Sequence, residues 1–162
     1  MKKPAIRPRG YTTITASVAV DDVAATIEFL NAAFGAEVQV QDDADAPSFA
    51  SLKIGNAMLF VTRGWAAHGH MPQSYTASSA VSLHLYVDDV VAMSEQAIAA
   101  GATLLSAPTE TYWGELTAAL ADPFGQIWTV AERVEALTGK DIAARRDAVL
   151  AVNDPVDAQP EA

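Results

Sequence analysis

Val20-Asp21-Asp22-Val23 opens a segment in which apolar residues recur at helical spacing as far as Gly35, and Val87-Asp88-Asp89-Val90 opens a second such segment that ends at Gly101. The two segments start 67 residues apart and end 66 residues apart. A period of this length that occurs twice predicts a duplicated module that packs against its own copy. We therefore expect the binding pocket to lie between the two copies.

Each copy predicts the element order β-α-β-β-β. An aspartate is the expected helix N-cap (Asp21 or Asp22, then Asp88 or Asp89), and a glycine ends each helix. The turn Asp122-Pro123-Phe124-Gly125 has the residue order of a type I turn. The predicted strands are residues 11–20, 36–40, 49–54 and 57–62 in the first copy, and residues 81–87, a short strand around Leu104, residues 115–121 and residues 126–131 in the second.

The predicted fold is α+β, with two βαβββ modules that form a curved sheet around a cleft, followed by a helix. The two-module domain covers residues 10–135, with modules at about 11–63 and 80–132. The long polar loop at residues 63–79 carries Trp65, His68, His70 and Tyr75. Thr138 and Asp141 resemble a capping box and predict a C-terminal helix within residues 136–150, and residues 151–162 are expected to be disordered.

Composition excludes several classes of function. The chain has no cysteine, which excludes disulfides, thiolate metal sites and cysteine nucleophiles. A net charge of −10 argues against a nucleic-acid partner and suits a cationic ligand. The first residues lack the apolar core of a secretion signal, and no apolar run reaches the roughly 20 residues of a membrane span. We expect a soluble, cytoplasmic protein with a small-molecule ligand and without membrane contact.

These motifs resemble those of the vicinal oxygen chelate superfamily, which includes glyoxalase I, the bleomycin-resistance proteins and the extradiol dioxygenases. Tyr112-Trp113-Gly114-Glu115 and residues 143–146 stand where the PhnB-like branch has a Tyr-Gly-Asp-Arg-type segment and an arginine-containing helix. The resemblance implies the two-module fold and a homodimer. The segments that carry it are residues 20–23, 27–30 and 33–36 in the first copy and residues 82–90, 99–102 and 122–125 in the second.

Metal-dependent members of that superfamily hold a divalent ion with His, Glu or Gln side chains from four strands. The resemblance places these positions at Ala16, Phe60, Ser82 and Thr129. Alanine and phenylalanine offer no lone pair, and hydroxyl groups alone do not replace imidazole and carboxylate around a divalent ion. We therefore expect no metal and no other cofactor, and a mostly apolar ligand pocket that includes Phe60, Ser82 and Thr129.

Four further residues are candidates for the site. His84 lies two residues beyond Ser82 on the same strand face, and is either a general acid or base or a histidine held by a hydrogen bond. Tyr112 and Trp113 either stack on a planar or cationic ligand or pack against the last helix. Glu115 is either a base or cation partner, or an exposed glutamate at a strand end.

The sequence leaves three functions open and assigns no catalytic residue. The first is a metal-independent binding protein that sequesters a hydrophobic or cationic compound, as the bleomycin-resistance proteins do in a groove between subunits. The second is a metal-free lyase or isomerase with His84 and Glu115 as its acid–base pair. The third is a metal-dependent glyoxalase-like or dioxygenase-like enzyme with a non-standard site of His68, His70 and His84. The missing metal ligands favour the first.

Overall fold

The computed structural model describes residues 5–72 and 81–153, which form two four-stranded sheets and three α-helices. This is the α+β architecture that the sequence predicts. The strands are β1 (Ala16–Ala19), β2 (Glu37–Gln41), β3 (Phe49–Ile54), β4 (Ala57–Thr62), β5 (Ser82–Tyr86), β6 (Thr103–Glu110), β7 (Glu115–Ala121) and β8 (Ile127–Arg133), and the helices are α1 (Val23–Phe34), α2 (Val90–Ala99) and α3 (Gly139–Asn153).

The two sheets repeat one topology. Their strand orders are β1-β4-β3-β2 and β5-β8-β7-β6. In each sheet the first strand pairs in parallel with the fourth, and the other neighbours pair antiparallel. The helix between the first and second strands is the crossover that places β1 beside β4 and β5 beside β8. Among the described residues, no helix is long and apolar enough to span a membrane.

The helix ends follow the predicted caps. Asp22 and Asp89 each accept a hydrogen bond from the backbone N–H three residues further on, so the second aspartate of each pair is the N-cap. Gly35 ends α1 in the left-handed conformation, with φ of 65°. Helix α2 ends at Ala99 with Ala100 as its C-cap, so the cap lies one residue before the glycine that the sequence marks as the stop.

Both module helices lie on the same side of the two sheets and share one core. Gln96 on α2 donates to the carbonyl oxygens of Ala32 and Ala33 at the end of α1, at 3.0 Å each. Side chains alternate between the two faces of a strand, so half of the sheet residues point away from the helices. We call that side the open face; it carries Ser17, Ser51 and Phe60 in the first sheet and His84, Tyr86, Thr117 and Thr129 in the second.

Several strands differ in length from their prediction because pairing, and not local sequence, sets their ends. Strand β1 covers only residues 16–19 of the predicted 11–20, since β4 offers ladder partners to those residues alone. Strand β6 is longer than the short strand expected around Leu104, because β7 pairs with it across two register shifts. Helix α3 continues to Asn153, so residues 151–153 are helical; residues 154–162 lie outside the described residues.

The predicted turn between β7 and β8 is tied to the core through Asp122. One carboxylate oxygen of Asp122 accepts from the backbone N–H groups of Phe124 and Gln126 at 2.9 Å, and the other accepts from Trp128 Nε1 at 3.0 Å. Burial raises the pKa of Asp122 above its ordinary value, against the opposing effect of these hydrogen bonds. The turn and the buried indole therefore hold each other in place.

We expect the acidic loop between β2 and β3 to stabilise the fold by an amount that decreases at low pH. Asp42 accepts hydrogen bonds from the Ser48 hydroxyl and from the backbone N–H groups of Ser48 and Phe49, which lower the pKa of Asp42 from 3.8 to about 2. A lowered folded-state pKa stabilises the fold above pH 3.8 and loses that effect as the pH falls to about 2. Urea unfolding of Asp42→Asn should therefore differ from wild type at pH 5 and match it near pH 2. An equal difference at both pH values, or the same behaviour from Asp45→Asn, contradicts this.

Candidate functional site

The carboxylate of Glu115 lies at the centre of a cluster on the open face of the second sheet. Tyr86 donates its hydroxyl to Glu115 Oε1 at 3.0 Å, and Trp113 donates its indole N–H to Glu115 Oε2 at 2.7 Å. His84 Nε2 lies 4.0 Å from Glu115 Oε2. Although Glu115 begins a strand, its side chain is only 12% exposed. The alternative of an exposed strand-end glutamate is therefore wrong.

Aromatic rings surround this carboxylate and remain accessible to a ligand. Tyr86 is 63% exposed and Trp113 is 39% exposed. The rings of His84 and Tyr86 lie 4.8 Å apart, and those of Tyr112 and Trp113 also lie 4.8 Å apart, edge to face. The hydrogen bond from Tyr86 to the anionic Glu115 raises the pKa of the tyrosine hydroxyl, as does the nearby negative charge itself.

A tight turn before β7 positions both Trp113 and Glu115. Gly114 has φ of 87°, a left-handed conformation that favours glycine. Its carbonyl oxygen accepts from the backbone N–H groups of Val134 and Glu135 at 3.0 Å, which joins the turn to the segment after β8. Thr111 Oγ1 accepts from the Glu115 N–H at 3.0 Å and donates to its carbonyl oxygen at 2.9 Å. The turn thus brings the indole N–H of Trp113 within hydrogen-bonding distance of the Glu115 carboxylate.

The register of β5 against β8 brings two predicted site residues together. His84 lies opposite Thr129, and Tyr86 lies two residues further along the same face of β5. Tyr86 was not among the sequence candidates. Its position two residues after His84 was the available signal, because residues i and i+2 of a strand lie on the same face. Ser82, also on this face, is exposed at the opposite end of β5 from the Glu115 cluster.

The open face of the first sheet is aromatic and is covered by the N-terminal segment. The ring of Phe60 lies 5.7 Å from that of Tyr11 and 5.4 Å from that of Phe49. The hydroxyls of Tyr11 and Ser51 share a hydrogen bond of 2.7 Å, and Ser51 is 1% exposed. Phe60 therefore lies on the open face and is covered there by Tyr11. The sequence predicted Tyr11 as part of the first strand, but β1 begins only at Ala16.

The positions that the resemblance assigns to metal ligands do not fit a divalent ion. Ala16 pairs with the core residue Leu59, whereas Phe60 pairs with the next residue of β1, so Ala16 and Phe60 lie on opposite faces. The expectation that Ala16 points inward with the other three positions is wrong. The repeat offset of 67 residues makes Thr15 the first-copy equivalent of Ser82, and the side chain of Thr15 is another neutral hydroxyl. Such a donor set lacks the imidazole and carboxylate groups that divalent metals require.

The three histidines of the non-standard metal site are not assembled. His68 ends a short 3₁₀ turn and stacks on Trp65, with ring centroids 4.5 Å apart. His70 forms a bridge with Trp65 in the same loop, while His84 lies on β5. Across residues 5–72 and 81–153, no group of three or more His, Asp or Glu side chains is placed to hold a metal ion. Tyr75 of this loop lies outside the described residues.

Two cavities lie where β1 and β5 border each other. The larger, of about 460 Å³, is lined by residues 16–20 together with Leu83 and the Phe124–Gln126 turn. The smaller, of about 120 Å³, is lined by Ala16, Leu83, His84 and the β3–β4 hairpin. His84 is thus among the residues that line the small cavity, whose other lining residues include the core-face residues Leu83, Leu85 and Trp128. Both cavities are lined by residues of both modules.

Comparison with known proteins agrees with this architecture. The sequence model of the Glyoxalase/Bleomycin resistance protein/Dioxygenase superfamily matches residues 12–130. An uncharacterized protein of Mycobacterium bovis is 30% identical over 130 residues, which is 77% of this chain and 86% of that protein. An uncharacterized protein of Mycobacterium tuberculosis is also 30% identical, over 77% of this chain and 76% of its own length.

Solved structures share the fold at lower identity. TioX from Micromonospora sp. ML1 has a TM-score of 0.59 at 20% identity, over 78% of this chain and all of that one. A glyoxalase-related enzyme from Fulvimarina pelagi has a TM-score of 0.61 at 21% identity, over 80% and 95% of the two chains. A protein from Arabidopsis thaliana has a TM-score of 0.62 at 23% identity, over 75% and 99%.

Proposed function

The chain belongs to the glyoxalase/bleomycin resistance protein/dioxygenase superfamily, and on that premise we propose that it binds and sequesters a small molecule on its open face without a metal ion. The observation that carries this proposal is the Glu115 carboxylate, which Tyr86 and Trp113 hold in place beside His84. A polar group fixed in advance among accessible aromatic rings lowers the entropic cost of binding.

Metal independence is supported by the side chains at the family's ligand positions. Phe60 packs between two aromatic rings, Ala16 belongs to the core face, and Ser82 and Thr129 are neutral hydroxyls. The polar chemistry of the open face lies instead at Glu115, near one end of the second sheet. A ligand held there is bound by hydrogen bonds, charge and aromatic contact.

A second candidate function is metal-free proton transfer by His84 and Glu115. The 4.0 Å separation between His84 Nε2 and Glu115 Oε2 favours it, since one bound water or a small shift would couple the two groups. Binding is nevertheless the better-supported function, because both oxygens of Glu115 already accept hydrogen bonds from Tyr86 and Trp113.

Two-dimensional ¹H–¹⁵N NMR provides a site-resolved test, because the chain has three tryptophans in different environments. Protein dialysed against EDTA and shown by elemental analysis to be metal-free should be titrated at pH 8 with quinoline and with N-methylquinolinium. We expect at least one probe to shift the indole N–H signal of Trp113 saturably. The signals of exposed Trp65 and buried Trp128 should remain in place and serve as internal controls.

Two results would overturn the proposed function. One is the absence of any saturable shift at Trp113 with either probe. The other is binding that returns only after Zn²⁺, Ni²⁺ or Mn²⁺ is added to the stripped protein, which would require the metal-dependent alternative.

We further propose a homodimer in the cytoplasm, as the resemblance implies. Exposed apolar side chains on two of the four edge strands support an interface between copies: Val38 and Val40 on β2, and Leu104 and Leu105 on β6. The absence of cysteine is compatible with a reducing compartment. Placement in the PhnB-like branch is likewise a proposal, supported by the Tyr112–Glu115 segment before β7 and by the arginines on α3.

A further inference from the structure

The Glu115 cluster combines a carboxylate side chain that is only 12% exposed with aromatic side chains that are more exposed. Among the described residues, no lysine or arginine nitrogen lies within 4.0 Å of the Glu115 carboxylate, whose nearest basic group is His84. Yet its surroundings on β5 and in the turn before β7 are the rings of Tyr86, Trp113 and His84. No lysine or arginine among the described residues forms a direct ion pair with this carboxylate, which the protein stabilises with hydrogen bonds and with the more distant charge of Arg133 on β8.

The hydrogen bonds restrict the kind of cation that fits. Each oxygen of Glu115 already accepts one N–H or O–H, which leaves at most one further lone pair on each oxygen for a ligand that donates hydrogen bonds. The exposed rings of Tyr86 and Trp113 can instead attract positive charge through their ring quadrupoles. A ligand whose positive charge is delocalised over a flat ring fits both the carboxylate and the rings, because it can stack on the rings while its charge lies close to Glu115.

From these contacts we infer that the ligand of this site is a planar aromatic organic cation, with Glu115 as its charge partner and Tyr86 and Trp113 as its stacking surfaces. This inference rests on the proposed function and names the chemical class of its ligand. The net charge of −10 adds a field that concentrates cations near the protein.

One positive residue opposes the ligand. Arg133 on β8 is the ladder partner of Glu115 on β7, and its positive charge acts on the nearby Tyr86 hydroxyl. Arg133 should therefore repel a cation at the site, while Glu115 attracts it. The sign of the electrostatic effect can therefore be tested. Removing the charge of Glu115 should lower the affinity for a cation, and removing the charge of Arg133 should raise it.

The experiment compares N-methylquinolinium with quinoline, which is uncharged at pH 8 and has the same ring system. With Trp113 as the NMR reporter, the cation should bind at least about tenfold more tightly than the neutral ring. Glu115→Gln should remove most of that preference, whereas Arg133→Gln should strengthen cation binding by about twofold to threefold. Glu110→Gln, which removes the same charge from exposed β6, should leave the preference within about twofold.

The outcomes separate this inference from the proposed function. If quinoline binds as tightly as N-methylquinolinium, the ligand class is wrong while small-molecule binding stands. If neither compound shifts Trp113, the proposed function fails as well. If Arg133→Gln weakens cation binding, or Glu110→Gln and Glu115→Gln have equal effects, the assignment of Glu115 as the charge partner is overturned. Dispersed spectra of each variant show that the fold is retained.

Discussion

Trp128→Ala should destabilise the protein by about 3–5 kcal/mol, the usual cost of truncating a large buried aromatic residue. Trp128 is 4% exposed, and its ring lies 4.6 Å from that of Phe34 on α1. Its Nε1–H is also a hydrogen-bond partner of Asp122, a buried carboxyl group. The substitution therefore opens a cavity between the two modules and leaves a buried acceptor unpaired. Urea unfolding followed by circular dichroism measures the loss.

Two matched variants separate the contributions of packing and hydrogen bonding at Trp128. Trp128→Phe keeps most of the ring contact but removes the N–H, and should cost about 1–3 kcal/mol, the penalty of an unsatisfied buried polar group. Trp65→Ala, at a residue that is 65% exposed, should change the free energy of unfolding by no more than about 0.5 kcal/mol. A loss below about 1 kcal/mol for Trp128→Ala would show that this indole does not join the modules.

Gly114→Ala should cost roughly 2–4 kcal/mol, through backbone strain and crowding together. The φ of 87° is unfavourable for any residue with a Cβ atom. A Cβ at this position would lie 3.1 Å from Glu135 Cβ, from the Glu135 carbonyl oxygen and from Leu137 Cδ1. Because the same turn places Trp113 and Glu115, the substitution should also displace the Trp113 indole N–H signal and weaken binding of N-methylquinolinium.

Gly139→Ala is the matched control for Gly114→Ala. Gly139 begins α3, a Cβ added there would meet no described heavy atom within 4 Å, and its φ is not positive. Alanine there should leave stability unchanged or raise it by up to about 1 kcal/mol, as expected for glycine replacement in a helix. Equal losses at Gly114 and Gly139 would contradict the role of the turn geometry at Gly114.

The periodic and turn-forming parts of the fold were predictable from the sequence. The repeated Val-Asp-Asp-Val motif gives both helix starts, and the strands predicted at residues 49–54 and 57–62 have the bounds of β3 and β4 in the structure. Trp128 alternates with Thr129 along β8, and the structure buries its indole on the opposite face from Thr129. These features depend on side chains within a few residues of one another, so a linear sequence contains the necessary information.

The composition of the site was only partly predictable. His84, Trp113 and Glu115 were candidates, and one alternative paired His84 with Glu115. The contact between Tyr86 and Glu115 was not predicted, because these residues are 29 positions apart and meet through the pairing of β5, β8 and β7. The hydrogen bond between Tyr11 and Ser51 joins residues that are 40 positions apart, and no local sequence pattern predicts it. The error at Ala16 has a similar origin, since a shift of one residue in a strand moves a side chain to the opposite face.

By itself, then, the sequence determined the duplicated α+β architecture, the aspartate N-caps of both module helices and the hairpins. Only the tertiary structure decided that Glu115 is shielded, that Tyr86 and Trp113 hold it, and that Tyr11 covers Phe60. The physical reason is that local backbone preferences act over a few residues, whereas the burial of a carboxylate depends on strands and turns that meet only when the chain is folded.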